Sequence, residues 1–83
     1  MHLPPVRQLQ YLVALREELH FGKAAGSLSV TQSTLSTGIR ELETSLGITL
    51  VERTNRSVSF TTAGEKIADR ARYVLMQVED LVT

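Results

Sequence analysis

Eighty-three residues with nine Lys and Arg against nine Asp and Glu make a neutral chain, and 42% apolar residues support one small core with an appendage at most. The absence of cysteine excludes a disulfide framework, a thiolate metal site and a cysteine nucleophile. No apolar run is long enough to span a bilayer and no signal-peptide core precedes the first helix, so the chain is expected to be soluble and cytoplasmic.

The first predicted element is a helix from about Pro5 to Leu19. Pro4 and Pro5 favour its start, because proline is tolerated in a first helical turn. Leu9, Leu12, Val13 and Leu15 give it a buried side, and Glu17 and Glu18 form a solvated end. His20 reads as a polar connector to the next element.

The segment Ala24 to Gly47 carries the most information. Ala24, Ala25 and Leu28 make a short apolar edge, and the two alanines allow a neighbouring helix to approach closely. Leu28-Ser29-Val30-Thr31 interrupts that helix. Thr31 is a good N-cap for the next one, with Val30 and Leu35 placed as a hydrophobic staple. In the second helix Leu35, Ile39, Leu42 and Leu46 recur at spacings of four, three and four, within a sector of roughly 60°. Ser33, Ser36, Thr37, Arg40 and Thr44 occupy the opposite side, with Gln32 at its edge. Gly47 is a natural C-terminal stop. A short helix, a capped polar turn and a two-faced longer helix are the layout of a helix-turn-helix, whose second helix enters the DNA major groove.

Beyond Gly47 the pattern changes. Leu50-Val51 and Val58-Ser59-Phe60 are strand candidates around the polar turn Glu52 to Ser57, which predicts a two-stranded hairpin with Arg53 and Arg56 flanking an exposed tip. The last helix starts after Thr61 or Thr62: Thr62 with Glu65 fits a capping box, and the sequence leaves both open. It runs to the C-terminus. Ile67, Ala71, Val74, Val78 and Leu81 alternate spacings of four and three, the seam of a coiled coil, and Ala68, Leu75 and Val82 widen it. A helix of about twenty residues is roughly 30 Å long, more than so small a domain can cover, so a second copy running antiparallel is expected to cover it.

These residues resemble the N-terminal domain of the LysR-type bacterial transcriptional regulators, from about Val6 to Val82. The resemblance rests on Leu9-Gln10-Tyr11-Leu12-Val13-Ala14, Phe21 to Ala25, Val30-Thr31-Gln32-Ser33, Leu35-Ser36, Ile39 and Leu42-Glu43. It continues through Leu46-Gly47, Leu50, Glu52-Arg53-Thr54, Arg56, Phe60-Thr61 and Ala63-Gly64. It implies a mainly α fold: a winged helix-turn-helix of three helices and a short hairpin wing over residues 1–61, then a linker and dimerisation helix over 62–83. For the start of the last helix it favours Thr61 as the cap. Many relatives carry Pro where this chain has Ser33, a basic or amide side chain at Thr37 and Gly38, and a charge at Gly26. The Gly38 exchange costs about 1 kcal/mol of helix propensity relative to Ala. It either removes bulk where the helix meets a phosphate or a neighbouring helix, or is neutral on a tolerant surface. His20-Phe21-Gly22 and Ser33-Thr34-Leu35-Ser36 are similar to the peroxide-responsive branch.

The leading expectation is a sequence-specific, dimeric DNA-binding domain of a transcription regulator. Gln32, Ser33, Ser36 and Thr37 would face base edges, and Gln32 can bond adenine in bidentate fashion. Thr31, Thr34 and Arg40 would contact phosphates, with Arg53 and Arg56 doing so from the wing or reaching the minor groove. Ile67, Ala71, Val74, Leu75, Val78 and Leu81 would pair two subunits. Two-fold symmetry implies an inverted-repeat operator with half-sites about one duplex turn apart or a multiple of it; the resemblance adds A/T-richness and an effector-binding domain following this region. No metal or cofactor is called for. Zero net charge opposes a nucleic-acid role, since phosphate neutralisation usually dominates affinity. It favours instead a winged module that only docks a protein partner. From Phe21 to Gly64, however, Lys23, Arg40, Arg53 and Arg56 outnumber Glu41, Glu43 and Glu52. An enzyme has little support: His2 and His20 stand far apart, with no carboxylate pair or glycine-rich phosphate loop beside them.

Overall fold

The computed structural model describes residues 2–54 and 57–83. Its elements run α1 (Val6–Glu18), α2 (Phe21–Ser27), α3 (Gln32–Leu46), β1 (Val51–Arg53), β2 (Val58–Phe60) and α4 (Thr62–Val82). This is the winged helix-turn-helix that the pattern predicts, with a long final helix.

Pro5 and Leu19, the expected ends of the first helix, are its caps. Leu19 closes it in the left-handed region at φ 50°, its N–H bonded to the Leu15 carbonyl at 2.8 Å. His20 does more than connect: its Nδ1 accepts the Lys23 N–H at 3.0 Å and caps α2. The turn between α2 and α3 is tied by N–H bonds from Leu28 and Val30 to the Ala25 carbonyl. Ser29, at φ 57°, takes its left-handed bend.

Helix α1 packs on α2, α3 and α4, so one buried centre serves the whole domain. Leu12, Leu15, Leu35, Ile39, Leu42 and Leu50 are its largest fully buried side chains. Ala24 and Ala25 lie in the same core, as small residues at a close helix contact must. Burying each leucine or isoleucine contributes about 1.5–3 kcal/mol. Gly38 faces inward: a Cβ there would run into the Tyr11 ring. Of the readings open for this glycine, close approach of a neighbouring helix is the one realised. Leu46 departs from its stripe. It lies at the last turn of α3, 41% exposed, where the helix has run past its support.

The wing is antiparallel, with Val51 opposite Phe60, Glu52 opposite Ser59 and Arg53 opposite Val58. Its first strand reaches further into the predicted turn than expected, so Glu52 and Arg53 are strand residues. Glu43 fixes the wing to α3, its Oε2 accepting the N–H groups of Leu50 (2.8 Å) and Val51 (3.1 Å). Thr61, not Thr62, caps α4, accepting the Gly64 N–H at 2.9 Å. The Thr61 hydroxyl also donates to the Thr49 carbonyl at 2.8 Å. Glu65 takes no part in a capping box with Thr62; it pairs with Arg16 at 2.9 Å, joining α4 to α1.

The stripe on α4 divides. Ala68 and Ala71 are buried, and Ile67 packs on the domain's own core. Leu75, half-buried, lies in a groove with Val13, Ala14 and Leu28. Val78 is half-buried, while Val74 is 42% and Leu81 85% exposed.

Candidate nucleic-acid interface

Helix α3 owes its two faces to its sequence. With Leu35, Ile39 and Leu42 held at zero exposure, the helix cannot rotate about its axis, and the opposite side must face outward. Gln32, Ser33, Thr34, Thr37 and Arg40 are exposed there, and Ser36 is half-buried. Glu43, fastened to the base of the wing, sets the angle between α3 and the hairpin.

The first turn of α3 concentrates hydroxyls. Thr31 Oγ1 accepts the Thr34 N–H at 3.1 Å and donates to Thr34 Oγ1 at 2.9 Å; Ser33 Oγ lies 3.2 Å from it. The Thr31 hydroxyl is therefore engaged as a cap, while Ser33 and Thr34 keep hydrogen-bonding capacity toward solvent. The uncapped amides of this turn add positive potential without a charged side chain.

Arg53 is not at an exposed tip. It ends β1 and turns toward α2, its guanidinium 5.0 Å from the centroid of the Phe21 ring. Its Nε and Nη2 are shut off from solvent and have no hydrogen-bond partner among the described residues. Burial pulls the guanidinium below its ordinary pKa, the like charge of Arg40 adds to this, and the Glu43 carboxylate opposes it. An arginine starts so high that it stays charged regardless.

Phe21, Gln32, Ser33, Ser36, Arg53 and Thr54 line one cleft between wing and recognition helix. The structure thus brings Gln32, Ser33, Ser36 and Arg53 together. Thr37 and Arg40 continue the same face toward the N-terminal segment, where His2 and Pro5 lie beside them. Arg56 lies outside the described residues. Two neighbours escape the sequence pattern. Phe21 enters the sequence reading only through the family resemblance, although an aromatic opening a two-alanine helix, with an arginine in the wing, is the signal such a pair leaves. Arg7, on α1, borders Ser33, Thr34 and Thr37 and adds a cation to this side. Among the described residues no cluster of three His, Cys, Asp or Glu could hold a metal. No described helix is long and apolar enough to cross a membrane.

Comparison with known proteins gives this arrangement its family. Residues 6–65 match the model of the bacterial regulatory helix-turn-helix proteins of the lysR family. The chain is 54% identical over 80 residues to the transcriptional regulator EstR of Acinetobacter baylyi, covering 96% of the chain and 27% of EstR. It is also 54% identical over 76 residues to the dual regulator OxyR of Escherichia coli, covering 92% of the chain and 25% of OxyR. Among solved structures, a complex of the BenM DNA-binding domain with catB site 1 DNA superposes with a TM-score of 0.89 at 41% identity, covering 94% of this chain and 88% of that one. The chain spans about a quarter of the length of the curated relatives it matches. With the fold, the polar face of α3 and the wing all in place, the chain belongs to the lysR family of bacterial regulatory helix-turn-helix proteins.

Proposed function

We propose that this chain binds double-stranded DNA sequence-specifically, as the DNA-binding part of a dimeric, cytoplasmic transcription regulator. The observation that carries this is the fixed orientation of α3: its apolar stripe is locked in the core and its polar face is free beside the wing. Helix α3 enters the major groove. Gln32, Ser33, Ser36 and Thr37 face base edges, Thr34 and Arg40 meet phosphates, and Thr31 does so through its backbone N–H, its hydroxyl being engaged as the cap. Arg53 and Arg56 act from the wing on the backbone or the minor groove. The chemistry is binding rather than catalysis, and it needs no cofactor.

Residues 1–61 form the DNA-binding unit and 62–83 the linker helix. Val74, Leu75, Val78 and Leu81 pair with a second copy, and Ile67 and Ala71 support that surface from within. The operator is an A/T-rich inverted repeat, and an effector binds a separate C-terminal domain. That the BenM domain is solved on DNA, over nearly the whole of this chain, supports the docking mode. The test is a duplex titration at two salt concentrations. Binding weakens steeply with salt if phosphates are neutralised; a module that only docks proteins shows no salt-dependent association with DNA.

A further inference from the structure

We infer that Phe21 is a positioning residue for DNA binding, holding the Arg53 guanidinium over its ring at the cleft beside Gln32, Ser33 and Ser36. The inference rests on the reading that Arg53 meets DNA, and deepens it. A free arginine on a strand end samples many rotamers and gives up that freedom when it binds. Here the guanidinium already lies 5.0 Å from the Phe21 ring centroid. Two of its nitrogens are removed from water without any acceptor among the described residues. Leaving such donors unserved is unfavourable, so a cation without compensation would swing into solvent. The negative face of the Phe21 ring supplies the compensation. Phe21 is itself fixed, as the first residue of α2 with its ring against the core. The wing cation is therefore set from α2, a helix that reads no base.

The identity of the cation matters here: a guanidinium is delocalised and weakly hydrated and packs on an aromatic face, whereas a lysine ammonium carries the same charge but holds its water more strongly.

The experiment is fluorescence anisotropy of the chain on a labelled mixed-sequence duplex, at about 50 and 200 mM salt. Phe21→Leu weakens binding about five-fold, Phe21→Tyr stays within about two-fold, and Arg53→Lys weakens it about as much as Phe21→Leu. In the Arg53→Ala background, Phe21→Leu has no further effect. Equal losses from Phe21→Leu with and without Arg53 would overturn the inference, because Phe21 would then act through the fold alone. Wild-type binding by Arg53→Lys, an exchange at a half-exposed strand end that keeps the fold, would overturn it as well. If Arg53→Ala itself leaves affinity and salt slope unchanged, the failure is that of the wing reading, and the inference falls with it.

Discussion

At the scale of single residues, neighbouring polar side chains do different work according to their chemistry and where the fold puts them. Gln32 and Arg53 share a cleft, but one can discriminate bases and the other cannot when it meets the backbone. Gln32→Ala should therefore flatten the preference between an operator and random DNA. Arg53→Ala should weaken both alike and lower the salt slope by about 0.9 for each phosphate left without its cation. Competition binding on the two duplexes separates these outcomes; equal losses for Gln32→Ala would contradict its role. Gly38 is decided by space rather than propensity. Gly38→Ala gains about 1 kcal/mol of helix propensity but forces its methyl into the Tyr11 ring, an overpacking that costs about 1–3 kcal/mol. Urea unfolding should show a net loss, which reverses in a Tyr11→Leu background where the ring is gone. Pairing Gly38 with Tyr11 needs the helix crossing, which spacing along one helix does not encode.

Among the elements, those defined by local rules are legible in the sequence. The cap at Thr31, the stripe of α3 as far as Leu42 and the stop at Gly47 follow from neighbours within a few residues, and each stands where it is expected. Features set by distant contacts are not. Whether Thr61 or Thr62 caps α4 depends on the Thr49 carbonyl, twelve residues away in sequence and beside Thr61 only once the wing forms. Arg53 resembles a tip residue in the sequence because the reach of β1 is set by its pairing with Val58. His20 is a cap because its ring turns back on its own helix, an orientation that composition does not reveal. The cap assignment has a direct check. Thr61→Ala should cost about 1–2 kcal/mol in thermal unfolding, whereas Thr62→Ala should stay within about 0.5 kcal/mol. Equal costs would contradict the assignment of the cap to Thr61.

Over the whole molecule, a neutral chain can still present a DNA-binding face, because charge is distributed rather than summed. Arg7, Arg40 and Arg53 lie around α3, while Glu43 is turned into the base of the wing and Glu65 is paired with Arg16. Helix α4 divides its labour in the same way. Its first half completes the core, and its second half leaves Val74 and Leu81 uncovered. Glutamate at Val78 and Leu81 together should shift the chain toward monomer in sedimentation equilibrium without unfolding it, whereas Ile67→Glu should unfold it. The most direct test of the central proposal, that the exposed face of α3 reads sequence, is selection of bound sites from random duplex DNA with wild type and Gln32→Ala. The account predicts an enriched inverted repeat with half-sites about one helical turn apart or a multiple of it, and a weakened motif for the variant. No enriched motif, or the same motif at the same strength for both proteins, would contradict it.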